Sequence, residues 1–147
     1  MEIERKWLIK TLPADLESYP HHIIEQGYLN TAPVVRIRRQ DNSYILTYKG
    51  GGMLAREEYN LPLDAPSYAH LRTKVDGHII SKVRYIIPLE DGLKIELDHF
   101  SSPIKGLYLA EIEFESVEQA EAYKAPDWFG EDVTYDVRYH NSVMSQM

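Results

Sequence analysis

Acidic and basic side chains recur at every second position along this chain, in stretches that are each close to one sign. Arg36 shares its parity with Arg38, and Lys82 with Arg84; Glu96 and Asp98, and Glu111, Glu113 and Glu115, do the same in acid. Glu2 and Glu4 precede Lys6, while Arg56, Glu58 and Asn60 form a mixed set. Arginine offers phosphate a planar pair of donors, and lysine a point charge. Arg36, Arg38, Lys49, Lys82 and Arg84, with Arg56, are therefore candidates to line the path of a triphosphate chain. Hard divalent cations such as Mg2+ prefer carboxylate oxygens and keep several waters. Glu2 and Glu4 with Glu111 and Glu113 could supply those oxygens. A metal that bridges phosphate oxygens withdraws charge from the scissile group, and its bound water can be the nucleophile. Catalysis would then rest mostly on positioning and electrostatics. For a base beside that water, parity puts Glu58 first and Asp98 second.

A period of two means strands. Eight are expected, at residues 1–10, 22–30, 33–40, 43–49, 55–62, 79–88, 93–100 and 108–115. Their opposite parity is apolar: Ile3 and Trp7, Val35 and Ile37, Tyr59 and Leu61, Val83 and Tyr85, Ile95 and Leu97, Ile112 and Phe114. Short helices are expected at 13–18, at 64–74 with Pro66 in the first turn, at 116–124 with Ser116 and Gln119 as a capping box, and in the tail at 134–144.

An ordinary antiparallel sheet turns its polar face to water, but such a face mixes signs, because like charges in register repel. Solubility does not need one sign per strand; binding a phosphate chain together with metal ions does. Turned into a dry core, roughly a dozen such charges would cost several kcal/mol each. The expected fold is therefore mainly β (α+β): an eight-stranded antiparallel tunnel closed around water, with the short helices packed outside. A two-residue turn at Asp41-Asn42 sets Arg36 opposite Thr47 and Arg38 opposite Ile45, with Lys49 on the arginine face. A three-residue turn at Glu90-Asp91-Gly92 sets Arg84 opposite Asp98; a two-residue turn at Asp91-Gly92 would set it opposite His99.

With 147 residues, a single domain over 1–147 is expected. Cysteine is absent, which excludes disulfides and thiolate metal sites. No apolar run approaches the ~18 residues of a membrane span, and the start, Met1-Glu2-Ile3-Glu4-Arg5, is charged at once, unlike a signal peptide. A cytoplasmic protein with no membrane partner is the expectation. The net charge of −7 taken alone argues against any polyanion. Segregation of sign along the strands lifts that objection for a small triphosphate, but not for nucleic acid. The six histidines show no ligand spacing and are expected to be structural or solvated. Gly50-Gly51-Gly52 lacks the Lys-Ser/Thr of a phosphate loop and reads as a flexible connection.

Glu2-Ile3-Glu4-Arg5-Lys6 matches the Glu-x-Glu-x-Lys signature of the CYTH superfamily, the triphosphate tunnel metalloenzymes. Further matches follow in order: Gln26-Gly27-Tyr28-Leu29, Arg36-Ile37-Arg38, Thr47-Tyr48-Lys49-Gly50, Arg56-Glu57-Glu58, Lys82-Val83-Arg84-Tyr85, Glu96-Leu97-Asp98, Glu111-Ile112-Glu113 and the tail Arg138-Tyr139-His140-Asn141-Ser142. The chain resembles this family over nearly its whole length. The resemblance implies an eight-stranded tunnel that hydrolyses triphosphates with Mg2+ or Mn2+. It implies metal on Glu2, Glu4, Glu111 and Glu113, phosphate on the basic strands, and Lys6 close to the phosphate chain as a catalytic residue. It also carries a homodimer as a family-level expectation. Many members continue the fifth strand with a second acidic residue where this chain has Asn60, which weakens a second metal site there. The short chain leaves little room for a base pocket, so inorganic tripolyphosphate is expected over thiamine triphosphate or a nucleotide. An adenylyl cyclase in the same tunnel, or a polyphosphate-binding module without turnover, are the alternatives.

Overall fold

The computed structural model describes all 147 residues. Its strands are β1 (Glu2–Ile9), β2 (His21–Thr31), β3 (Val34–Gln40), β4 (Ser43–Lys49), β5 (Ala55–Arg56), β6 (Glu58–Leu63), β7 (Asp76–Pro88), β8 (Lys94–Ser102), β9 (Tyr108–Phe114) and β10 (Phe129–Asp132). They form one sheet in the order β10-β1-β9-β8-β7-β2-β3-β4-β6, with β5 on β1. Every pairing is antiparallel. The sheet curls until its sides nearly meet through a split strand. β6 pairs with β4 at Lys49↔Glu58, while β5 pairs with β1 at Glu2↔Arg56.

The mainly β tunnel expected from the sequence is what the structure shows. It departs from eight strands in two places. Residues 55–62 are broken at Glu57, because one strand has to serve two diverging neighbours where the barrel closes. β10 is four residues, Phe-Gly-Glu-Asp, with too little alternation to signal a strand. The helices are shorter than expected: α1 is Ala65–Arg72, α2 Val117–Ala122, and the tail holds one 3-10 turn at Val137–Tyr139 before α3, Asn141–Met144. Their caps are the expected ones. Asp64 Oδ1 accepts from Ser67 N at 2.7 Å, and Ser116 Oγ from Gln119 N at 3.0 Å.

Alternation sorts the side chains to two sides of the sheet. On the outside, Trp7, Tyr85, Ile95, Leu97, Ile112 and Phe114 pack beneath Leu16, Ala120 of α2 and Phe129. The inside is not charged throughout. Tyr28, Val34, Ile80, Phe100 and Leu109 share parity with the charged residues and pack together with Val133 and Met144 from the tail. One end of the barrel is thus dry and plugged, and the cavity is a cup. The tail is tied down where His78 N donates to Ser145 O at 2.6 Å. Gly77 lies beside it at φ +69, and any Cβ there would strike the Ser145 carbonyl. Met144 is fully buried in the plug, so Met144→Ala should cost about 2–5 kcal/mol. The expected reading is a lower urea midpoint with an unchanged slope. No helix is long and apolar enough to cross a membrane.

Candidate active site

Strand register builds the site. The β3–β4 hairpin sets Arg36↔Thr47 and Arg38↔Ile45, and the turn after β7 sets Arg84↔Asp98, as the three-residue reading required. Between β1 and β9, Glu4 faces Glu113 and Lys6 faces Glu111. The open end of the cup is a cavity of about 490 Å³, lined by Glu2, Glu4, Lys6, Arg36, Arg38, Lys49, Arg56, Glu58, Arg84, Glu111 and Glu113 among others.

On the basic wall, Arg38 Nε donates to Gln26 Oε1 at 2.9 Å, and Arg36 Nη2 to Thr47 Oγ1 at 3.3 Å. Neither guanidinium has a carboxylate partner, and Arg36 Nε has no acceptor at all. Burial and the neighbouring charges of Arg36 and Arg84 push Arg38 down to about 9, so it remains a cation at neutral pH. Thr47 in turn donates to Asn60 Oδ1 at 2.7 Å, and Asn60 Nδ2 donates to Glu58 Oε1 at 3.3 Å. Arg56 Nε is held by Gly50 O at 3.1 Å. Lys6 Nζ donates to Tyr139 O at 3.0 Å, so the tail aims this ammonium.

Two residues expected in the cavity lie outside its lining. Asp98 and Lys82 have fully buried side chains, 2.8 Å apart, behind Arg84. Asp98 accepts from Arg84 Nε at 2.7 Å and from Nη2 at 2.8 Å. Arg84 also reaches Glu96 at 3.1 Å and Glu111 at 3.3 Å. Burial works against ionising Asp98, but Arg84 and Lys82 outweigh it and hold the carboxyl below its ordinary range. Burial pushes Lys82 down to about 7 against the pull of Asp98. A carboxylate already bound on both oxygens is poorly placed to be a base, and Lys82 lies behind the wall on the same carboxylate as Arg84.

The acidic side divides in two. One carboxylate oxygen each from Glu2, Glu58 and Glu113 lie within 4.8 Å of one another. Lys49 Nζ stands beside them, 2.8 Å from Glu2 and 3.5 Å from Glu58. Burial raises Glu2, with Glu58 adding to the rise against Lys49. Burial also opposes ionisation of Glu58, yet hydrogen bonds from Glu2 and Asn60, with Lys49 and Arg36, leave it below its ordinary range. Deeper in, burial and Glu111 raise Glu4 well above the usual carboxylate range. Glu111 is held well below it despite burial, by Lys6, a hydrogen bond with Glu4, Arg84 and Lys82. The two neighbouring carboxyls are thus pushed in opposite directions, Glu4 upward and Glu111 downward.

Three converging carboxylates fit a hard divalent cation and suit no soft one. Of the four glutamates expected to hold metal, the structure gathers Glu2 and Glu113 with Glu58, and sets Glu4 and Glu111 together beside them. Gln26 and Thr47, which the sequence shows only within motifs, and Asn60, there only a departure from an acidic position, are not among the expected site residues, because neutral side chains carry no charge pattern. His140, expected to be structural or solvated, lines the cavity with its Nε2 3.0 Å from Thr134 O. Its place in the tail motif was the available signal.

Comparison with known proteins agrees with this architecture. An inorganic triphosphatase of Nitrosomonas europaea is 39% identical over 148 aligned residues, covering 98% of this chain and 96% of its own length. An inorganic triphosphatase of Acetivibrio thermocellus is 32% identical over 96% of this chain and 90% of its own. The crystal structure of an inorganic triphosphatase superimposes with a TM-score of 0.73 at 35% identity, covering 100% of this chain and 95% of that one. The CYTH domain matches residues 1–140; with that span and these relatives, the chain belongs to the CYTH domain family.

Proposed function

We propose that this protein hydrolyses inorganic triphosphate with the help of a divalent cation, Mg2+ or Mn2+. The observation that carries the reading is the placement of Arg36 and Arg38, free of carboxylate partners, in one cavity with the Glu2, Glu58 and Glu113 cluster. Guanidinium groups held only by neutral acceptors keep their charge for a phosphate chain. The names of the two relatives point to the same substrate.

Arg36, Arg38 and Arg56 would grip the non-bridging phosphate oxygens, with Lys6 at the tail side of the chain. Glu2, Glu58 and Glu113 would hold the cation, with Glu4 and Glu111 next to it. When bound, such a cation polarises the scissile phosphoryl group and lowers the pKa of a coordinated water. Lys49 screens the cluster, at 2.8 Å from Glu2 and 3.5 Å from Glu58, and would add its charge to the phosphate site. Arg84 keeps one face on Asp98, so it serves more as a fixed positive wall than as a mobile clamp. Exclusion of bulk water by the plugged end strengthens each of these charge interactions.

The test is phosphate release from tripolyphosphate, ATP and thiamine triphosphate with Mg2+, Mn2+ or EDTA. Release should be fastest from tripolyphosphate and absent in EDTA. Equal rates with EDTA present would remove the metal from the reading. Cyclic AMP from ATP would replace hydrolysis by cyclisation in the same cavity.

A further inference from the structure

Two arginines of the cavity wall are held in opposite ways. Arg84 gives its guanidinium to the carboxylates of Asp98, Glu96 and Glu111. Arg38 lies directly across the strand pair from Gln26 and gives only its Nε, at 2.9 Å, to that amide oxygen. The two Nη nitrogens of Arg38 make no hydrogen bond within the protein. An amide oxygen accepts as a carboxylate does, but brings no charge. It can fix the plane of the guanidinium and leave the whole positive charge to the cavity. A carboxylate in its place would orient the group as well and cancel much of that charge.

Gln26 is 0% exposed, and its own Nε2 has no acceptor. An unmet buried donor is destabilising, so packing alone gives no reason for glutamine here. A carboxylate would pair with Arg38 and leave no such donor. We infer that Gln26 is a positioning residue of the phosphate site, whose neutral amide oxygen orients Arg38 towards the substrate without neutralising it. This deepens the proposed triphosphate binding and rests on it.

Gln26→Glu keeps the acceptor and adds the charge. The variant should melt at or above the temperature of the wild type, since Arg38 gains a counter-charge. It should nevertheless bind tripolyphosphate at least about tenfold more weakly by calorimetry in EDTA, and raise KM more than it lowers kcat in Mg2+. A merely structural glutamine would show stability and affinity falling together. Gln26→Met keeps the length and removes the acceptor. It should weaken binding in the wild-type background and add nothing in an Arg38→Ala background, as a residue acting through Arg38 must. The inference is overturned if Gln26→Glu binds as tightly as the wild type, or if the loss in Gln26→Met persists undiminished without Arg38. Should Gln26→Glu fail to fold, the methionine cycle decides. Wild-type protein that neither binds nor hydrolyses tripolyphosphate would overturn the function reading itself, and this inference with it.

Discussion

Glu58→Gln is expected to lose metal-dependent phosphate release by about a hundredfold or more, and to lose most of its Mn2+ affinity in the same step. Replacing even an outer partner of a metal ligand typically costs about 10–100-fold, so removing a charged ligand should cost no less. The geometry behind the expectation is the convergence of Glu58 with Glu2 and Glu113 within 4.8 Å. Parity in the sequence made Glu58 the first choice for a general base. The two roles separate cleanly in one experiment. A base contributes to kcat and leaves metal affinity alone; a ligand contributes to both. Glutamine still accepts the hydrogen bond that Asn60 donates to Glu58 Oε1, at 3.3 Å in the structure, so the strand stays in place. Mn2+ binding by electron paramagnetic resonance beside kcat checks it. Unchanged Mn2+ affinity with a lost kcat would return Glu58 to the role of base.

Asp98→Asn should destabilise the fold by about 3–5 kcal/mol at neutral pH, the usual result of removing one partner from a buried ion pair. It takes from Lys82 its one carboxylate partner, at 2.8 Å, and from Arg84 its shortest one, at 2.7 Å, leaving Arg84 only Glu96 and Glu111. The acid limb of stability should change as well. The folded carboxyl lies below its ordinary range, because Arg84 and Lys82 outweigh burial. Its contribution is therefore complete above the unfolded value, about 3.9, and fades as pH falls through the lower folded value. Urea titrations from pH 7 downwards should show a shallower limb in Asp98→Asn than in the wild type, the remainder coming from other depressed carboxyls such as Glu111 and Glu58. The activity that remains, counted per folded molecule, tells support of Arg84 from proton transfer. A fully folded Asp98→Asn protein of wild-type stability that has lost turnover would restore Asp98 to the chemistry.

Much of the fold was legible because a strand writes its two faces into the sequence at a period of two. Charges at Glu2, Glu4 and Lys6 and at Lys82 and Arg84, set against apolar Ile3, Trp7, Val83 and Tyr85 on the other parity, could be satisfied only by a sheet with a wet side and a dry side. Turn length fixed register: Asp41-Asn42 placed Arg38 opposite Ile45, and that pairing is observed. At Glu90-Asp91-Gly92 the sequence left two registers open. The structure takes the longer turn, with Asp91 at φ 60 and Gly92 at φ 75. Only that register sets Arg84 opposite Asp98.

The sequence by itself determined which residues share the inner face of a β-tunnel, and the sign of charge on each strand. It also carried the family's ordered motifs from Glu2 to Ser142. Parity is a one-dimensional property, however, and says nothing about height along the barrel. Only the tertiary structure decided that Asp98 and Lys82 lie behind Arg84, that Glu58 converges with Glu2 and Glu113, and that Phe100 and Leu109 on the same face meet Val133 and Met144 in a dry plug. The physical reason is that depth in the barrel comes from closure and stagger of the strands and from where the tail docks. These are contacts between segments far apart in the chain, and no local pattern encodes them.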